Sequence, residues 1–160
     1  MVAWSPNASR PLALVVDDDP ANRTLCAVNL RLAGFDVLEA ADGVAGLQQA
    51  RSQRPDVVLT DIRMPRLDGF GLADELRRDA RTRRIPVVFL SGETAADTRA
   101  RASALGACRF VAKPFDPIAI PRLLLDVLAE AGISAAADRS RRGPARRAAR
   151  AARPPSRRAS

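Results

Sequence analysis

Six side chains have the types and positions to manage a charged ligand: Asp17, Asp18 and Asp19 after one apolar run, Asp61 after a second, Ser91 after a third and Lys113 after a fourth. If those runs are parallel strands, all six meet at one sheet edge, where ligands of open α/β sheets gather. Aspartates so placed repel one another unless a cation holds them, and all-oxygen donors favour Mg²⁺ or Mn²⁺. Lys113 is the only lysine in an arginine-rich chain. It supplies a compact point charge where a forked guanidinium would be too long, and Ser91 can donate to an oxygen of the same ligand. No histidine occurs anywhere, which excludes a histidine triad, a histidine metal site and a phosphohistidine carrier on this chain. Gly69 and Gly71 lack the Lys-Ser/Thr of a nucleotide-binding loop and read as turn and helix residues. No general base stands beside a water-activating site. The chemistry left is a carboxylate that itself attacks phosphorus, with metal and lysine neutralising charge.

The elements needed to position these groups are legible in the chain. Leu12 to Val16 reads as a fully buried strand ending in the three aspartates. Pro20 to Leu32 is a helix capped by Asp19 and closed by Gly34, with Ala21, Leu25, Val28 and Leu32 at helical spacing. Phe35 to Glu39 is a second strand. Asp42 caps a helix to about Ser52, with Ala45, Leu47 and Ala50 available for its inner face. Asp56 to Thr60 is a third strand, followed by a loop and a helix from about Asp68 to Arg78. Ile85 to Leu90 and Arg109 to Ala112 are the fourth and fifth strands, with a helix over Thr94 to Leu105 between them. The last helix opens at Asp116-Pro117 and runs to Gly132, although Pro121 would break its first turns and a start at Pro121 is the alternative. Five strand–helix alternations imply right-handed crossovers and an α/β, doubly wound parallel sheet with helices on both faces.

The net charge of +8 does not belong to this folded part. Residues 134–160 hold nine arginines and one acid, which leaves the first 133 residues with 17 groups of each sign. The tail has no aromatic residue and should be disordered. It is read as a solvated extension, with weak polyanion binding as the functional alternative. The expected organisation is a flexible N-terminus (1–10), one domain (11–132) and a basic tail (133–160). The arginines at 77, 78, 81, 83 and 84 read as a solvated face that complements the helix dipole. Cys26 and Cys108 are too few for a disulfide framework and read as small buried hydrophobes. With no apolar stretch near ~18 residues and no signal-like start, a cytoplasmic protein without a membrane span is expected.

Four motifs in order, VVDDDP (15–20), DIRMPRLDG (61–69), FLSG (89–92) and KPF (113–115), resemble the signature of response-regulator receiver domains over roughly residues 11–131. The resemblance implies a flavodoxin-like strand order of 2-1-3-4-5. It implies Asp61 as phosphoacceptor, Asp17 and Asp18 as the acidic pair for Mg²⁺, and the Arg63 carbonyl completing the metal shell. Ser91 takes the hydroxyl switch position, Lys113 the family's lysine and Phe110 the aromatic switch. Arg63 and Glu93 fall where similar receivers tune phosphate lifetime. The Lys113-Pro114 bond is expected to be cis. A sensor histidine kinase or phosphotransfer protein would donate the phosphoryl group. Output would pass through the face of the fourth helix, fifth strand and fifth helix to a protein partner. The same face permits a monomer or a homodimer. The chain is then a signalling switch and not a metabolic enzyme.

Two other readings compete. An aspartyl phosphatase of the haloacid dehalogenase type would use Asp17 and Asp19, but Ala21 stands where its motif needs Thr or Val, and a cap is missing. A receiver-like interaction module that is never phosphorylated would not need the intact site.

Overall fold

Leu12–Val16 (β1), Val57–Asp61 (β3) and Val87–Ser91 (β4) are buried along their whole lengths, as runs of branched apolar residues covered on both faces must be. Asp36–Ala40 (β2) and Arg109–Ala112 (β5) are mostly half-buried or exposed and carry Asp36, Glu39 and Arg109. Charge is tolerated there because these are the two sheet edges. The computed structural model describes residues 10–92, 100–101 and 109–133. Its five strands pair in parallel in the order β2-β1-β3-β4-β5. The expected order and sheet type hold.

Alternation along the strands divides the core into two layers. Leu14, Val16, Val58, Val87 and Phe89 face Gly43–Gln53 (α2) and Gly69–Arg78 (α3). Ala13, Val15, Val57, Leu59, Val88 and Leu90 face Pro20–Leu32 (α1) and Ile120–Glu130 (α4). The helix expected over 94–105 lies outside the described residues except at 100–101, as do Glu93, Cys108, the first nine residues and the tail from 134. No helix among the described residues is long and apolar enough to cross a membrane.

Three aspartates start three helices as side-chain caps. Asp19 accepts from the Ala21 amide at 2.9 Å, Asp42 from Ala45 at 2.7 Å and Asp68 from Gly71 at 2.7 Å. Each such cap contributes about 1 kcal/mol. The last helix begins at Ile120, so the later of the two expected starts is correct. Pro121 then lies in the first turn, where its missing N–H costs nothing. Asp116 stays outside as a turn residue that accepts from the Ile118 amide. β3 and β4 each run one residue further than expected, through Asp61 and Ser91. β4 starts at Val87 because Pro86 has no N–H for the ladder.

The inner faces of two helices differ from expectation. In α1 the buried residues are Cys26, Ala27 and Leu30, while Leu25, Val28 and Leu32 are exposed. Both stripes are apolar, so periodicity alone favours neither. The small Cys26 and Ala27 let the helix lie close to the sheet. In α2 the deepest contacts come from Gly43, Gly46 and Ala50, with Ala45 and Leu47 only partly buried. A Cβ on Gly46 would sit 2.9 Å from a Val16 methyl, so glycine is what allows that approach.

The choice of face in α1 has a direct test in urea denaturation. Leu30→Ala should lower the unfolding free energy by roughly 2–5 kcal/mol, whereas Leu32→Ala should stay within about 0.5 kcal/mol of the parent. Equal losses would contradict the observed packing.

Candidate functional site

Register places the chemistry-bearing residues side by side. Val16 pairs with Thr60, so the next residues, Asp17 and Asp61, are neighbours. Ser91 pairs with Ala112, and the Lys113 amide donates to the Ser91 carbonyl at 2.8 Å. Lys113 therefore leaves β5 beside the end of β4 and reaches across to β3. Its Nζ lies 3.2 Å from Asp61 Oδ2. The Lys113-Pro114 bond is cis, as expected.

Asp17, Asp18 and Asp61 each offer a carboxylate oxygen within 4.8 Å of the others. Asp17 and Asp61 are buried, and Asp18 is exposed. Asp17 Oδ1 accepts from the Asp19 amide at 2.9 Å, while its Oδ2 is buried without a hydrogen bond. Such an orphaned acceptor is costly unless something satisfies it. Burial, reinforced by the charge of Asp61, pushes the Asp17 carboxyl up from 3.8 to about 6. The Asp19 amide and Lys113 pull the other way without prevailing. An all-oxygen donor set, one orphaned oxygen and a strained anionic charge are what a small divalent cation would relieve. The residues present fit Mg²⁺.

Asp19 does not join this cluster, because its carboxylate is spent on the cap of α1. Arg63 is exposed in the loop after β3. That loop is pinned by Ile62 and Met64, both buried in the core. Ser91 is buried, 6% exposed, at the end of β4. Phe110 is half-buried with its ring 5.4 Å from Phe89, which in turn lies 5.0 Å from Phe70. The Arg101 guanidinium stands 4.5 Å over the Phe70 ring. Among the described residues, the structure thus brings together Asp17, Asp18, Asp61 and Lys113. It sets Ser91 beside Lys113 through the backbone and ties Phe110 to an aromatic row.

Two positioning residues were not foreseen. A Cβ on Gly69 would meet the Asp61 carbonyl oxygen at 2.4 Å, and one on Gly43 would meet the Leu67 carbonyl oxygen at 2.2 Å. The Gly69 amide donates to the Ile62 carbonyl at 2.8 Å. These glycines fold the loop back onto the end of β3 and dock α2 against it. Each follows a capping aspartate, Asp68 or Asp42, and that Asp-Gly pairing is the signal the sequence carried.

The family model described as the response regulator receiver domain matches residues 13–124. Among curated proteins, the chain is 40% identical over 106 residues to the DNA-binding dual master transcriptional regulator RpaA of Synechocystis, covering 66% of this chain and 44% of that protein. It is 31% identical over 122 residues to the alkaline phosphatase synthesis transcriptional regulatory protein PhoP of Bacillus subtilis, covering 76% and 50%. The chain spans about half the length of these relatives. Among solved structures it resembles the chemotaxis protein CheY4 of Vibrio cholerae, with a TM-score of 0.71, 32% identity, and 75% and 100% of the two chains covered. It also resembles the receiver domain of a Pseudomonas aeruginosa sensor histidine kinase that holds a magnesium ion in its active-site cleft. There the TM-score is 0.69 at 31% identity, with 76% and 99% covered.

The raised Asp17 carboxyl sets a pH dependence. Between 3.8 and about 6 the folded chain holds a proton that the unfolded chain has released, so this group's effect on metal-free stability becomes less favourable as pH rises through that window. A cation needs the deprotonated form and competes with the same proton. Mg²⁺ should therefore raise the melting temperature clearly at pH 7.5 and little at pH 5. An equal shift at both values would contradict the assignment of Asp17 to the cation.

Proposed function

Because the chain belongs to the response-regulator receiver family, we propose that Asp61 is its phosphoacceptor, with Asp17, Asp18 and the Arg63 carbonyl holding Mg²⁺ beside it. The observation that carries this reading is the placement of Asp61: at the end of β3, inside the three-carboxylate cluster, 3.2 Å from Lys113. Mn²⁺ suits the same donors. The bound cation supplies charge neutralisation for the phosphoryl oxygens.

In the proposed transfer an Asp61 carboxylate oxygen forms a bond to phosphorus while the bond from phosphorus to the donor's histidine nitrogen breaks. That nitrogen keeps the electron pair. Lys113 holds the Asp61 carboxylate in place beforehand and meets the added negative charge afterwards. Ser91, buried at the end of β4, donates its hydroxyl to a phosphoryl oxygen. A sensor histidine kinase or a phosphotransfer protein is the donor. Residues 11–132 form the receiver, with 1–10 and 133–160 as appendages, and the chain acts in the cytoplasm as a switch and not as a metabolic enzyme.

The output follows from the aromatic row. Phe110 packs on Phe89, and β4 carries both Phe89 and Ser91. Movement of Ser91 toward a phosphoryl oxygen therefore shifts the backbone that supports the Phe110 ring. The affected face comprises the helix expected over 94–105, β5 and α4. It is the surface for a downstream protein or for a second copy of the chain, and phosphorylation biases a pre-existing equilibrium there.

Labelling with radioactive acetyl phosphate and Mg²⁺ tests the assignment. The parent chain should take up base-labile phosphate, Asp61→Asn should take up none, and Lys113→Ala should label at least tenfold more slowly. Full labelling of Asp61→Asn would remove Asp61 from the role. A parent chain that takes up no label while remaining folded would leave an unphosphorylated interaction module.

A further inference from the structure

Arg23 sits one turn into α1, its amide donating to the carbonyl of the capping Asp19 at 3.0 Å. A positive charge there opposes the helix dipole, which favours anions at an N-terminus. Helix side chains lean toward the N-terminal end, and this one runs back to the end of β1. Its Nη1 donates to the Asp17 carbonyl oxygen at 2.8 Å, and its Nε lies 3.7 Å from Glu39 Oε1 on β2.

An ordinary surface ion pair does not account for this placement. The Arg23 side chain is only 20% exposed, and Glu39 is already served by Arg31 at 3.1 Å. A second, longer pair to the same half-buried carboxylate contributes little. What remains is the contact with Asp17. The carbonyl that Arg23 holds belongs to the peptide joining Asp17 to Asp18. The preceding peptide is held too, because the Asp17 amide donates to the Ala40 carbonyl at 3.1 Å. With Oδ1 taken by the Asp19 amide, the orphaned Oδ2 of Asp17 stands on a fixed base. Asp18 is exposed, so the orientation of that peptide decides where its carboxylate stands.

We propose that Arg23 is a positioning residue for the divalent cation, locking the Asp17–Asp18 peptide so that both carboxylates meet one ion. This role rests on the assignment of those two aspartates to Mg²⁺. Glu39 steadies the guanidinium from β2, and Gln49 Nε2 of α2 donates to the Glu39 carbonyl at 2.7 Å. Groups that orient metal ligands without touching the metal matter to affinity, and losing one weakens binding by about 10- to 100-fold. The sign of the effect is diagnostic. A guanidinium acting only through its charge repels Mg²⁺, so its removal would tighten binding. Removal of a positioning contact loosens it.

Nitrogen–proton NMR spectra of the full chain, recorded during a titration with Mg²⁺ at pH 7.5, test this. Arg23→Gln should raise the Kd for Mg²⁺ by about 10- to 100-fold. Arg31→Gln, which relieves the same Glu39 but leaves Asp17 alone, should bind like the parent. Before Mg²⁺ is added, the Asp18 amide resonance should move in Arg23→Gln and hold its place in Arg31→Gln. Arg23→Lys keeps the charge and one donor, so its affinity should fall between, and it tests the same point if a thermal melt shows Arg23→Gln unfolded. Parent-like or tighter binding in the Arg23 variants, with weak binding in Asp17→Asn, overturns the role of Arg23 and leaves the cation assignment standing. A folded parent chain that binds no Mg²⁺ overturns both.

Discussion

Three carboxylates held at one sheet edge are the constraint around which the rest of this molecule is arranged. At 4.8 Å two such charges repel by roughly 3 kcal/mol at an effective dielectric near 20. Nothing local in the chain would keep Asp17, Asp18 and Asp61 together against that. The sheet does so, because β1 and β3 are wholly buried and pair over four registered positions. Lys113 offsets part of the repulsion through its contact with Asp61, and a divalent cation would offset the remainder.

Once the edge is fixed, the surrounding elements are placed by close approach more than by bulk. Gly69 and Gly43 leave no room for a Cβ against backbone carbonyls, and Gly46 leaves none against Val16. Capping aspartates immediately before Gly43 and Gly69 orient α2 and α3. The loop carrying Arg63 is held from beneath by Ile62 and Met64. The rigid frame makes the electrostatics of the site possible. It also makes Asp17 expensive to ionise, which is why a cation and a proton compete for it.

Charge is distributed along the strand axis. The carboxyl edge gathers Asp17, Asp18 and Asp61, whereas at the amino edge Asp36 is met by Arg10 and Asp56 by the Leu12 amide. A parallel sheet separates its two ends by the length of its strands, about 15 Å for five residues.

Residue type and strand-end position were enough to single out Asp17, Asp18, Asp61, Ser91 and Lys113, because an alternating α/β chain has only one edge where loops and strand C-termini meet. The strands, the three capped helices and the parallel topology were legible for the same reason: apolar runs and capping residues act locally. The inner face of α1 was not. Leu25, Val28 and Leu32 have the same period as Cys26, Ala27 and Leu30, and only contact with the sheet decides between a bulky stripe and a small one. The close approaches of Gly43 and Gly69, the 3.2 Å meeting of Lys113 with Asp61 and the orphaned oxygen of Asp17 were likewise decided by tertiary structure. Each depends on the distance between segments far apart in the chain, which strand register sets and local sequence does not.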